Sequence, residues 1–186
     1  MLQRINETNF PEIYRIMQAS FSDDEYRPYD EQLALFEEPE YRVYYMPAIG
    51  MERVGNHSTG NSTMHAAGFL AVWEFESFTY IEHFAVDPAL RNSGTGSAML
   101  QELVRKYQKQ ICLEVELPED ELTRRRIGFY ERNGFVFNEY PYIQPPISKG
   151  KSPVPLRVMT YGKGITRQAF EEMRKVLYRR VYKCGI

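Results

Sequence analysis

The chain has 186 residues, 43% hydrophobic and 26% charged, with a formal net charge of −2, which is enough for one full core and short for two. This slightly acidic balance gives no electrostatic support to a nucleic-acid or anionic-membrane partner, and neither is expected. Cys112 and Cys184 show no CxxC spacing, so neither a disulfide scaffold nor a metal site is indicated.

Met1-Leu2-Gln3-Arg4-Ile5 has no long apolar signal core. No apolar run approaches the roughly 20 residues that span a bilayer, so a cytoplasmic protein is expected. Residues 2–5 suit a short strand. Asn9 is placed to cap a helix, with Pro11 in its first turn and Glu12 completing a capping box. Phe10, Ile13, Tyr14, Met17 and Phe21 then form an apolar stripe at helical spacing. After the acidic break 22–25 a second helix is expected over 30–36. Strands follow at 41–46 and 64–76, separated by a Gly-, Asn- and Ser-rich loop over 47–63 in which His57 reads as a surface residue.

Residues 80–86 are β-branched and aromatic enough for a strand, and Asp87-Pro88 stops it. Met99, Leu100, Leu103, Val104 and Tyr107 then recur at helical spacing, so a helix starts near 94–96. Between strand and helix lies Arg91-Asn92-Ser93-Gly94-Thr95-Gly96-Ser97. Its glycines let the backbone approach a ligand and present N–H groups at a helix N-terminus beside an arginine, which suits a pyrophosphate. A Walker A loop would need Gly-Lys-Ser/Thr, and Gly96 is followed by Ser97-Ala98. A dinucleotide fingerprint would need Gly or Ala at position 99, which is Met. A glycine-capped turn without a ligand stays open on these residues alone.

Ile111, Leu113, Val115 and Leu117 alternate with Cys112, Glu114 and Glu116, giving one core face and one carboxylate face. The latter reads equally as a solvated edge or as a wall that binds a cation. A helix is expected from about 119 to 133, ended by Gly134 in the left-handed conformation with Phe135 folding back on it. A strand over 135–138 follows, and 139–153, with four prolines, reads as irregular. A last strand at 155–161 precedes a terminal helix from 166 to about 183, with Phe170, Met173, Leu177 and Val181 on one face. That face could cover the core or join two copies in a homodimer. No boundary divides residues 1–186, so a single domain is expected.

Two motifs in order carry a family resemblance: the arginine-led loop 91–96 after a Val-Asp-Pro run, and Phe129-Tyr130-Glu131-Arg132-Asn133-Gly134-Phe135. Together they resemble the GCN5-related N-acetyltransferases (GNATs) over about residues 2–162. The resemblance implies an α/β fold: a mixed, mostly antiparallel sheet with helices on both faces and two splayed central strands, 80–86 and 111–117. It implies transfer of an acetyl group from acetyl-coenzyme A to a primary amine of a small molecule or peptide. A coenzyme-A-binding or sensing module with little catalysis is the alternative. By the same resemblance, the main chain of Phe84, Ala85 and Val86 pairs with pantetheine and Arg91 through Ser97 hold the pyrophosphate. Tyr130 protonates the departing thiolate. Thr123 and Arg126 stand where many members carry Asn and Ala, and are expected to touch the cofactor less conventionally.

Transfer to an amine needs a base. By simple alternation Glu82 shares a face with Tyr80, Phe84 and Val86, so it is the expected base, directly or through water, with His83 structural on the opposite face. Glu116 is the second candidate. Glu114 and Glu116 are expected as anchors for a cationic acceptor, and the family layout places Tyr142 on the acceptor side.

Overall fold

A computed structural model describes residues 1–48 and 64–184. The loop expected over 47–63, with His57, lies outside the described residues from position 49 onward. Among the described residues seven strands form one sheet: β1 (Gln3–Arg4), β2 (Tyr41–Pro47), β3 (Ala66–Glu74), β4 (Phe78–Val86), β5 (Gln110–Glu116), β6 (Phe135–Gln144) and β7 (Val154–Tyr161), in the order β1-β2-β3-β4-β5-β7-β6. Strands β4 and β5 run parallel and the other neighbouring pairs are antiparallel. The parallel step requires a crossover, which α3 (Thr95–Lys106) supplies.

Alternating side chains give the sheet two apolar faces. On one, α1 (Phe10–Gln18), α2 (Tyr29–Ala34) and α5 (Arg167–Val176) cover a core containing Phe10, Ile13, Trp73, Tyr80 and Phe170. On the other, α3 and α4 (Glu121–Arg132) cover Leu70, Val72, Ile81, Met99, Leu103 and Ile127. The expected mixed, mostly antiparallel sheet with helices on both faces is what forms.

The feature that positions the site is where two strands part. Pairing between β4 and β5 runs from Phe78↔Gln110 to Ile81↔Leu113 and stops. Strand β4 continues with β3 as far as Val86, and β5 with β7 as far as Glu116. Residues 82–86 and 114–116 thus face each other across a slot with main-chain edges the sheet does not satisfy. Glu82 illustrates this: its side chain is 1% exposed, yet the residue as a whole is not buried, so the open part is backbone.

Glu82 keeps the expected face of Tyr80, but a bulge overturns the expectation that Phe84 and Val86 share it and that His83 lies opposite. Val72 pairs with Ile81 but Ala71 pairs with His83, leaving Glu82 as an extra residue in β4. One inserted residue reverses the alternation. Glu82 and His83 therefore both face the α1 side, where Trp73 and Phe21 contact them, while Phe84 packs on Phe129 and Tyr130 of α4.

Three other expectations change. Asn9 makes no capping bond, because a 3-10 turn, Glu7–Asn9, leads into α1, and Glu12 pairs with Arg15 instead. Strand β6 runs beyond position 138 to Gln144, with a register break between Asn138 and Tyr142 that absorbs Pro141. The Asn138 amide stands in for the ladder there, donating to Val158 O and Thr160 Oγ1 at 3.0 Å each. The terminal helix, capped by Thr166 Oγ1 accepting from Ala169 N at 3.2 Å, ends earlier as α5 and passes into a wider π turn, Leu177–Val181. Its apolar stripe packs on this chain's own sheet.

Candidate active site

At one end of the slot the loop before α3 forms a cradle. Asn92 and Gly94 take positive φ values of 63° and 83°, turning the chain so that α3 starts at Thr95. The first α3 bond runs from Ala98 N to Gly94 O, so the N–H groups of Thr95, Gly96 and Ser97 have no partner within the helix. They lie at the positive end of the dipole, in a segment without an acidic residue, which fits an anion such as a pyrophosphate. A Cβ at Gly96 would come within 3.2 Å of the Phe129 ring and 3.4 Å of Phe84. The bare backbone of Gly96 keeps the cradle close to β4 and α4 without pressing on these rings. Ser93 Oγ donates to Leu90 O at 2.7 Å and meets Thr95 Oγ1 at 2.8 Å, bracing the turn. Arg91 is exposed and makes two long bonds of 3.3 Å, to Val86 O and Ser20 Oγ, which it can exchange for an anion.

Thr123 is committed elsewhere. Asp120 Oδ1 accepts from Thr123 N at 2.7 Å and Thr123 Oγ1 accepts from Asp120 N at 3.1 Å, a reciprocal cap that starts α4. Arg126, also expected at the cofactor, pairs with Glu116, whose role was to anchor the acceptor. Both side chains of that pair are about 40% exposed.

Glu82 is enclosed by donors. Arg27 Nη1 donates to its Oε1 at 2.7 Å and Trp73 Nε1 to its Oε2 at 3.1 Å. Burial raises its pKa, but the Arg27 charge and these hydrogen bonds outweigh that and hold Glu82 below the usual carboxylate range. Arg27 also donates to Val181 O at 3.2 Å. His83 accepts burial as a neutral ring: desolvation lowers its pKa, and its Nε2 lies 2.8 Å from Glu25 O.

Among the described residues no arginine pairs with Glu114. It is the first residue of β5 beyond the last pair with β4, and its Oε2 accepts from Tyr182 Oη at 2.8 Å. Tyr182 Oη lies 3.0 Å from Tyr80 Oη. Glu114 Oε1 and the Tyr142 hydroxyl are buried without a hydrogen-bond partner among the described residues. Burial pushes the Glu114 pKa up to about 7, against the lowering effect of neighbouring phenols. On the opposite face Tyr130 is buried among Phe84, Phe129 and Phe135, and burial pushes its phenol up to about 12.

Sequence reasoning named Glu114 and Tyr142 but missed Arg27, Trp73, Tyr80 and Tyr182. No local pattern marks Arg27, whose carboxylate partner is 55 residues away.

A family model for an acetyltransferase (GNAT) domain matches residues 60–137. A protein assigned to the GNAT-family acetyltransferases, from Bacteroides thetaiotaomicron, superposes with a TM-score of 0.84 at 29% identity, covering 100% of this chain and 99% of that one. The chain is similar to the GNAT acetyltransferases in sequence over residues 60–137 and in fold along its whole length. YjbC of Bacillus subtilis (strain 168), assigned as an acetyltransferase, is 32% identical over 93 residues, 49% of this chain and 46% of YjbC, so the match spans about half of that relative. A variant of the spermidine N-acetyltransferase SpeG from Vibrio cholerae shares the GNAT fold with a TM-score of 0.57 at 13% identity, over 87% of this chain and 94% of that one. Among the described residues no helix is long and apolar enough to cross a membrane, and no group of His, Cys, Asp and Glu could hold a metal ion.

Proposed function

We propose that this protein moves an acetyl group from acetyl-coenzyme A directly to a primary amine. The observation that carries the reading is the slot, with an anion cradle at one end and a buried carboxylate oxygen lacking a partner at its parting point. In this reading the cradle 91–97 holds the pyrophosphate and the main chain of Phe84, Ala85 and Val86 pairs with pantetheine. Bound acetyl-coenzyme A supplies an activated acetyl thioester. The protein's part is to deprotonate an ammonium, hold the amine, and offer a proton to sulfur. Glu114, rather than Glu82, takes the ammonium proton: its buried Oε1 lacks a hydrogen-bond partner and its pKa lies near neutrality, where a general base works best. Glu82, already satisfied by Arg27 and Trp73, organises the acceptor side. Tyr130 stays protonated at neutral pH and donates from the other face. Tyr142 lines the acceptor side next to Glu114.

Calorimetric titration with acetyl-coenzyme A tests the cofactor, comparing wild type with an Arg91→Ala/Gly94→Val variant. Micromolar binding that the variant loses is expected, since Val at φ 83° is strained and the cradle loses its arginine. Transfer is then measured with spermidine and with a peptide bearing a free N-terminal alanine. Absence of wild-type binding sinks the reading. Binding without transfer to any amine supports the coenzyme-A-binding module.

A further inference from the structure

The C-terminal segment reaches into the site through an unusual turn. Tyr182 N donates to Leu177 O at 3.1 Å, the i→i−5 bond of a π turn. In a regular α-helix residues 181 and 182 would diverge by about 100°. The wider turn lets both face the sheet, with Val181 2% and Tyr182 8% exposed. Such turns are rare and are frequently found at functional sites. Three ties hold this one in place: Arg27 to Val181 O at 3.2 Å, Lys183 to Glu38 at 2.9 Å, and an Arg180–Glu40 pair.

We propose that Tyr182 is a positioning residue for Glu114, fixing Oε2 so that Oε1 receives the proton of the acceptor amine. The proposal rests on Glu114 being the base. Tyr182 has a single hydroxyl hydrogen. With it donated to Oε2, Tyr182 can only accept from Tyr80, so the order Tyr80→Tyr182→Glu114 follows from donor counting. The two oxygens are therefore inequivalent: Oε2 is held by Tyr182, and Oε1 is buried without a partner. A proton arriving from an ammonium therefore has one destination. The groups that face Glu114 are Tyr80 and Glu82 from β4, Cys112 on its own strand, Tyr142 from β6, and Tyr178 and Tyr182 from the terminal turn. Of these, Tyr182 donates to the carboxylate within hydrogen-bond geometry. The acceptor site is incomplete without the C-terminal segment.

The test is carbon-13 NMR titration of the full chain carrying glutamate labelled at Cδ, the Glu114 signal being assigned by its loss in Glu114→Gln. Loss of a donor to the ionised form destabilises that form. The Glu114 midpoint in Tyr182→Phe is expected to rise by about one pH unit or more. Tyr80→Phe, acting one bond further away, is expected to raise it less, and it carries the test if Tyr182→Phe does not fold. Either variant titrating at the wild-type pH, with a wild-type melting temperature and acetyl-coenzyme A affinity, overturns the proposal. Transfer to spermidine separates the two readings. Full turnover by Glu114→Gln overturns the base assignment and this proposal with it. Lost turnover in Glu114→Gln together with an unmoved midpoint in Tyr182→Phe overturns the role of Tyr182 alone.

Discussion

Glu82 and Glu114 stand at the same level of the parting strands, both with buried carboxyl groups, and their surroundings drive them in opposite directions. Glu82 meets a guanidinium and an indole N–H, and is held ionised. Glu114 has a phenol rather than a cation as its hydrogen-bond donor, and burial pushes its pKa up to about 7. Burial is common to both, so burial does not decide which carboxylate is available for proton transfer. The partner does. A carboxylate whose charge is already matched gains little by accepting a proton, whereas one that pays for its charge in desolvation accepts one readily.

The largest effect comes from breaking the matched pair. Arg27→Ala strands the Glu82 charge in the core, and removing one partner of a buried pair costs about 3–5 kcal/mol. A thermal melt is expected to fall by about 10 °C. Arg27→Met combined with Glu82→Gln removes both charges and is expected to recover most of the loss. If Arg27→Ala melts within about 2 °C of wild type, the pair is not what holds Glu82.

Stability against pH separates the two carboxylates next. The folded pKa of Glu114 is raised from 4.5 to about 7. Its contribution is therefore full below the unfolded value near 4.5 and is lost as pH rises through about 7. At about 1.36 kcal/mol per pKa unit this amounts to about 3 kcal/mol. Urea unfolding is expected to show Glu114→Gln gaining about that much on wild type between pH 4.5 and 7. Glu82 has the opposite sign: its pKa is depressed, so its contribution is present above 4.5 and lost as pH falls through the lower folded value. Glu82→Gln should thus lose ground to wild type as pH rises through the acid range. Parallel pH dependence in the two variants would contradict the contrast.

Much of this architecture is legible in local sequence because it is made by local forces. The cradle follows from Gly94 and Gly96 between a strand and an amphipathic helix, and the end of α4 from Gly134. The parts that were not legible depend on distant or single-residue events. The bulge at Glu82 carries no glycine or proline to announce it, yet it reverses the face of every β4 side chain beyond it. Arg27 follows an acidic loop that reads as solvated, and becomes buried only when β4 and the terminal turn close over it. Tyr182 falls off the helical stripe drawn through Phe170, Met173, Leu177 and Val181, and only the π turn brings it inward. Strand β6 continues past Pro141 because Asn138 supplies hydrogen bonds that the register break gives up.

The smallest effect sharpens the comparison with a third carboxylate of the same slot. Glu116 lies two residues beyond Glu114, at the mouth, paired with Arg126 where both side chains are about 40% exposed. Water screens that pair, so it contributes at most about 1 kcal/mol. Arg126→Ala is therefore expected to leave the melting temperature within about 3 °C of wild type. Calorimetry on the same variant decides what Arg126 does besides. A severalfold loss of acetyl-coenzyme A affinity means that Arg126 leaves Glu116 for a phosphate when the coenzyme binds. Unchanged affinity means that it serves only to neutralise Glu116, which then cannot anchor a cationic acceptor until Arg126 is removed. In that case Arg126→Ala should lower the KM for spermidine, since a bare carboxylate at the mouth attracts a polyamine that the pair does not.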